Sequence, residues 1–157
     1  MTSTNVRDLN DQVAAFLKQG RYPQALPLAT RACEEARVGA GEKSLELARS
    51  LSQLAAAHRE LGQFSQAESP CLQSLNIWGA ACKDGPEYAA SLHDLARLYE
   101  AKGNTKQAEA FYRQALEIRR TTLGKGHPDY AQSLNDLGSL YDLLGSTTVF
   151  GTATPRR

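Results

Sequence analysis

Four glycines, Gly20, Gly62, Gly103 and Gly145, divide this chain at intervals of 42, 41 and 42 residues. A period of that length confines the fold to one supersecondary unit stacked on its own copies around a continuous core. The text around the last two glycines repeats as well. Ser91-Leu92-His93-Asp94-Leu95-Ala96-Arg97-Leu98-Tyr99 returns as Ser133-Leu134-Asn135-Asp136-Leu137-Gly138-Ser139-Leu140-Tyr141. Stacked units offer an elongated surface, so the pattern predicts a binding protein and not an enzyme.

Each glycine separates two helices. Ahead of Gly103, Leu92, Leu95, Ala96 and Tyr99 recur at helical spacing and share one face. The glycine supplies the left-handed residue that ends a helix at little cost. After it, Ala108, Phe111, Tyr112, Ala115, Leu116 and Ile118 form a second stripe, read as an antiparallel partner helix. Pro128 and Asp129 then favour a fresh start. Strand signals are weak throughout. The expected class is all-α, a right-handed superhelical stack of antiparallel helix pairs (an α-α solenoid) with three complete repeats and one half repeat.

The expected layout is a flexible start at 1–7, a repeat domain at 8–145, and a disordered tail at 146–157 that is rich in Thr and Gly. The repeats fall at about 8–43, 44–86 and 87–128, with the half repeat at 129–145. In the first helix of the chain, Gln12 stands where later repeats carry Leu54, Leu95 and Leu137. A polar residue there suits a capping helix with nothing packed outside it. At the other end, Leu134, Leu137, Leu140, Tyr141 and Leu144 form an apolar set that one neighbouring repeat does not cover completely. Leu137, Leu140, Tyr141 and Leu144 are therefore the candidate assembly face, through which the chain would form a homo-oligomer or continue a longer array.

Composition excludes several classes. With 18 basic and 17 acidic side chains and a net charge of +1, the chain lacks the footprint of a nucleic-acid binder. No apolar run approaches the roughly 20 residues needed to span a bilayer. The first residues lack a secretory signal's cationic and apolar segments. Three cysteines without metal-like pairing, Cys33, Cys71 and Cys82, fit free thiols in a reducing compartment, so a cytoplasmic protein is expected.

Leu134-x-x-Leu137-Gly138-x-x-Tyr141 resembles the first-helix motif of tetratricopeptide repeats, and Ala108-x-x-x-Tyr112-x-x-Ala115 the second-helix motif. The 42-residue unit and the linker Leu123-Gly124-Lys125-Gly126-His127-Pro128-Asp129-Tyr130-Ala131 are similar to the kinesin-light-chain type. The likeness is strong over 87–145, fair over 44–86, weak over 8–43 and absent from the tail. It implies a protein or peptide partner held in a concave groove lined by first helices. That type favours paired asparagines in the first helix; here the pairs are Ser52-Gln53, His93-Asp94 and Asn135-Asp136. The Lys and Asn of a carboxylate clamp for chaperone tails are absent from the matching positions.

Helical spacing then places the groove residues. The second repeat supplies Arg49, Ser52, Gln53, Ala56 and Arg59, and the third His93, Asp94, Arg97 and Glu100. The half repeat adds Gln132, Asn135, Asp136, Ser139 and Asp142. Bases lie mostly early and acids mostly late, which favours an extended peptide with the opposite charge order. Catalysis is not expected: adjacent helix residues diverge by about 100 degrees, so Asp94 does not orient His93 as a base. The three widely separated histidines make no metal site, and no cofactor is implied. The two rival readings are self-assembly through the terminal helix and a regulatory fragment of a larger signalling protein.

Overall fold

A computed structural model of the chain describes residues 5–147, which form seven helices and, among the described residues, no strand. They are α1 (Val6–Lys18), α2 (Tyr22–Gly39), α3 (Leu45–Glu60), α4 (Phe64–Ala81), α5 (Pro86–Ala101), α6 (Thr105–Thr122) and α7 (Pro128–Thr147). Odd-numbered helices are the first helices of the sequence repeats, and even-numbered ones are the second. The chain forms two compact units, Met1–Lys83 with α1 to α4 and Asp84–Arg157 with α5 to α7.

Three of the four periodic glycines do the same job. Gly20, Gly62 and Gly103 have φ of 73°, 76° and 87°, the left-handed region that a Cβ disfavours. Around each, the glycine N–H and the next N–H turn back to the carbonyls of the preceding turn. At Gly20 these bonds are Gly20 N to Leu17 O at 3.1 Å and Arg21 N to Phe16 O at 2.8 Å. The paired bonds satisfy orphan carbonyls and reverse the chain within two residues. Gly145 differs from that expectation, because α7 runs through it to Thr147. Glycine also accepts the right-handed conformation, at about 1 kcal/mol relative to Ala, so it permits a stop without enforcing one.

Helix starts are set by local chemistry. Asn5 Oδ1 accepts from Arg7 N at 3.0 Å, and Ser44 Oγ accepts from Leu47 N at 3.1 Å. Pro86 and Pro128 open α5 and α7, where a missing N–H is harmless. His127 Nδ1 accepts from Asp129 N at 3.0 Å, in keeping with its reading as a linker and cap residue. At the ends of the expected layout, Val6 and Arg7 are already helical and Ser146 and Thr147 still are. Residues 1–4 and 148–157, where the flexible start and disordered tail were expected, lie outside the described residues.

In the first unit α1 packs on α2, α2 on α3, and α3 on α4, with α1 also touching α3. Val13, Ala25 and Ala29 form one core cluster, packed by Phe16, Leu17, Leu28 and Leu54. Cys33, Ala36, Leu47 and Leu51 form the seam between α2 and α3. In the second unit α6 packs against both α5 and α7. Leu92, Leu95, Ala96, Ala108, Tyr112 and Ala115 are buried there, and Tyr99 stacks on Phe111 at 5.6 Å.

The three cysteines are free thiols, two buried and one exposed. Burial pushes the Cys33 thiol up to about 12. At pH 8 only roughly one Cys33 in ten thousand is then the reactive thiolate. A maleimide reagent is expected to modify exposed Cys82 within minutes and Cys33 only after unfolding. Prompt native-state labelling of Cys33, read by peptide mass spectrometry, would show that the α2–α3 seam opens readily.

Candidate functional site

The groove residues expected from the sequence fall into two groups, one in each unit. In the second unit, α5 and α7 are tied directly: His93 Nε2 lies 2.7 Å from Asp136 Oδ2. A carboxylate of the next repeat thus stands beside His93. The imidazole is only 3% exposed and meets the Tyr112 ring edge-on, with centroids 5.2 Å apart. Tyr112 in turn donates its hydroxyl to Glu100 Oε1 at 2.7 Å. Burial, and after it the Glu100 bond, pushes the Tyr112 hydroxyl above the ordinary phenol range. A polar layer therefore runs from α6 through α5 to α7.

Arg119 completes that layer from α6. Its Nη1 donates to Ser133 Oγ at 2.8 Å and to the Asp129 carbonyl at 3.1 Å. Burial lowers its affinity for the proton, and the fields of Asp129, Asp94 and Asp136 oppose that effect. Asp136 feels the reciprocal forces. Burial pushes its carboxyl up, while Arg97 and Arg119 pull it down.

The first unit repeats the theme with neutral groups. Asn10 of α1 accepts from Ser50 Oγ at its Oδ1, and its carbonyl accepts from Gln53 Nε2, both at 3.0 Å. Ser74 donates to the Ala48 carbonyl at 2.8 Å, which leaves Ser52 as the donor in its 2.6 Å bond to Ser74. A cleft of about 180 Å³ opens between α1 and α3, lined by Arg7, Asn10, Asp11, Leu45, Glu46 and Arg49.

These bonds sort the expected residues. Arg49, Arg97, Asn135 and Ser139 are exposed, and Gln53, Asp94, Glu100 and Asp136 are half-buried. Ser52 turns toward α4, and Arg59, its side chain 11% exposed, pairs with Glu60 at 3.3 Å. His93 is sealed, so it supports the surface without presenting to it. Among the described residues no three His, Cys, Asp or Glu side chains gather as metal ligands, and no helix is long and apolar enough to cross a membrane.

The candidate assembly face requires a correction. Leu137 is 7% exposed and Leu140 is fully buried, because that side of α7 packs on α6 of the preceding repeat. Tyr141 is half-buried, with its hydroxyl donating to Glu109 at 2.6 Å and accepting from Arg113. Leu144 is also half-buried. The exposed leucines of α7 are Leu134 and Leu143.

Sequence reasoning missed Arg119, Ser133 and Asn10. Two signals were available. Ser50, Ser91 and Ser133 recur at the repeat spacing, and Arg119 stands where Ala36 and Trp78 stand in the earlier repeats.

The sequence profile described as Tetratricopeptide repeat matches residues 9–78, 67–121 and 88–148. Among solved structures, a Podosopora anserina kinesin light chain with nearly identical TPR-like repeats superposes with a TM-score of 0.81. It is 24% identical, over 91% of this chain and 68% of that one. A substituted variant of that same protein gives 0.80 with the same identity and coverage. BtubC (BKLC) from P. vanneervenii gives 0.78 at 19% identity, over 100% of this chain and 71% of that one. No curated protein sequence matches the chain. At these identities the structural likeness shows a shared fold, that of a helical-repeat solenoid.

Proposed function

Because the chain belongs to the tetratricopeptide repeat family, we propose that it is a non-enzymatic protein–protein interaction scaffold. It captures an extended peptide or a helical segment of its partner on the concave face of its first helices. The observation that supports this best is the fixed polar layer beneath exposed side chains. His93–Asp136 and Gln53–Asn10 tie neighbouring first helices together, so Arg97, Asn135 and Ser139, and Arg49 likewise, stand on a preformed floor. A rigid floor limits the ordering cost of binding to the partner's side.

Charge sets the partner's chemistry. α5 and α7 carry Glu87, Asp94, Glu100, Asp129, Asp136 and Asp142 against Arg97 alone. A basic peptide segment suits those helices, and an acidic one suits exposed Arg49. Three free thiols and a balanced charge fit a cytoplasmic protein that binds neither nucleic acid nor membrane.

The test is a peptide-display selection on the whole chain beside an Arg49→Glu, Asp142→Lys variant, which reverses one exposed charge in each unit and whose helicity is confirmed by circular dichroism. A shared motif is expected, with affinity falling about tenfold or more in the variant, or about 1.4 kcal/mol. No enrichment on the folded chain, or equal binding by both proteins, overturns the reading.

A further inference from the structure

The cleft between α1 and α3 has a nearly buried floor with one donor unused. Asn10, which lines it, is 5% exposed. Its Oδ1 accepts from the Ser50 hydroxyl, which also faces the Glu46 carbonyl, and its own carbonyl accepts from Gln53. These contacts hold the side chain in place. Its Nδ2 donates to no group of the chain among the described residues. A nearly buried N–H without an acceptor costs stability, so an occupant that brings an acceptor is favoured.

The four charged side chains around that donor are unpaired as well. Elsewhere in the first unit Arg31, Arg37 and Arg59 each lie within 3.3 Å of a carboxylate, from Glu35, Glu42 and Glu60. Among the described residues Arg7 and Arg49, by contrast, make no side-chain hydrogen bond or ion pair, and neither do Asp11 and Glu46. Each wall carries one base and one acid: Arg7 and Asp11 on α1, Arg49 and Glu46 on α3. A simple anion satisfies the bases but meets two carboxylates, and a simple cation does the reverse. A ligand with one charge of each sign answers all four. Size narrows the class further. About 180 Å³ falls below the roughly 300–1,000 Å³ of drug-sized sites, and exposed Leu45 gives the wall one apolar patch.

We propose that this cleft binds a free α-amino acid with an apolar side chain. Asn10 Nδ2 and the Arg7 and Arg49 guanidiniums receive its carboxylate, Asp11 and Glu46 its ammonium, and Leu45 its side chain. The interior of a peptide lacks that adjacent pair of opposite charges, so the site adds a function to that of the peptide groove. It stands whether or not the groove binds.

The probe is L-leucine, titrated into the full chain and followed in nitrogen-correlated nuclear magnetic resonance spectra. The Asn10 side-chain amide peaks should move, with a dissociation constant of about 1 mM for so small a ligand. Leucinamide lacks the carboxylate and N-acetylleucine lacks the ammonium, and each should bind about tenfold more weakly or worse. An Arg7→Gln, Arg49→Gln variant should lose leucine binding, and so should an Asp11→Asn, Glu46→Gln variant. All four positions are exposed, and circular dichroism confirms that each variant keeps its helicity. Glycine should bind the chain more weakly than leucine does. Unmoved Asn10 peaks up to about 10 mM leucine, or equal binding by chain and variants, overturns the proposal. Acetate or N-acetylleucine binding as well as leucine would make the cleft a plain anion site. Nuclear Overhauser contacts from residues 1–4 to the Asn10 amide would give it to the chain's own start. Either result also overturns the proposal.

Discussion

Leu140→Asp should detach α7 from its unit or unfold the chain outright. Leu140 is fully buried on the side that packs against α6. Losing the leucine forfeits about 2–3 kcal/mol of apolar burial. An uncompensated carboxylate in its place costs several kcal/mol more, even if it takes up a proton to avoid charge. A combined loss of about 5 kcal/mol rivals the whole stability of many domains. The matched control is Leu143→Asp, because Leu143 is 51% exposed on the same helix. That change should stay within about 0.5 kcal/mol. Urea denaturation with hydrogen exchange on α7 measures both. Equal midpoints for the two variants would mean that α7 does not pack as described.

Arg119→Ala is expected to destabilise by about 2–3 kcal/mol. A buried acceptor, Ser133 Oγ, and a part-buried one, the Asp129 carbonyl, lose their donor, and an unsatisfied buried group costs about 1–3 kcal/mol. The loss of the packed side-chain stem adds to this. Relief from burying a charge subtracts from it and keeps the net figure modest. The diagnostic is a double-mutant cycle with Ser133→Ala. Once Ser133 is gone, Arg119→Ala should cost about 1 kcal/mol less than it does alone. Strict additivity of the two changes, measured by equilibrium denaturation, would show that the guanidinium and the hydroxyl do not work together.

The helices and their register were legible because both rest on local chemistry. Glycine at Gly20, Gly62 and Gly103 and proline at Pro86 and Pro128 act on their own few residues. Which neighbour covers which strip was harder to read. Leu134 and Leu137 both lie on the apolar side of α7, but different helices serve their two positions. The clue was Gln12, exposed in α1 where no repeat precedes it among the described residues. A polar residue is tolerated there because the preceding repeat normally covers that position. By the same logic Leu137 is covered and Leu134 is not.

The polar layer was least legible, since identical registers took different fates. His93 is sealed and Asn135 is exposed at the same place in successive repeats. Asp136 from the next first helix reaches His93, whereas among the described residues no later first helix reaches Asn135. A residue's burial here depends on a neighbour some 40 positions away, which no local pattern encodes.

The two seams described above differ in kind: Cys33, Ala36, Leu47 and Leu51 pack between α2 and α3, whereas Arg119 bonds into α7. A guanidinium at that site is useful only if the helix that follows brings its matching acceptors. Lengthening such an array by duplication would therefore succeed most readily when a second helix is copied together with the first helix after it. Although the eye picks out the hairpin, the residues matched to one another at the α6–α7 seam sit across the joint.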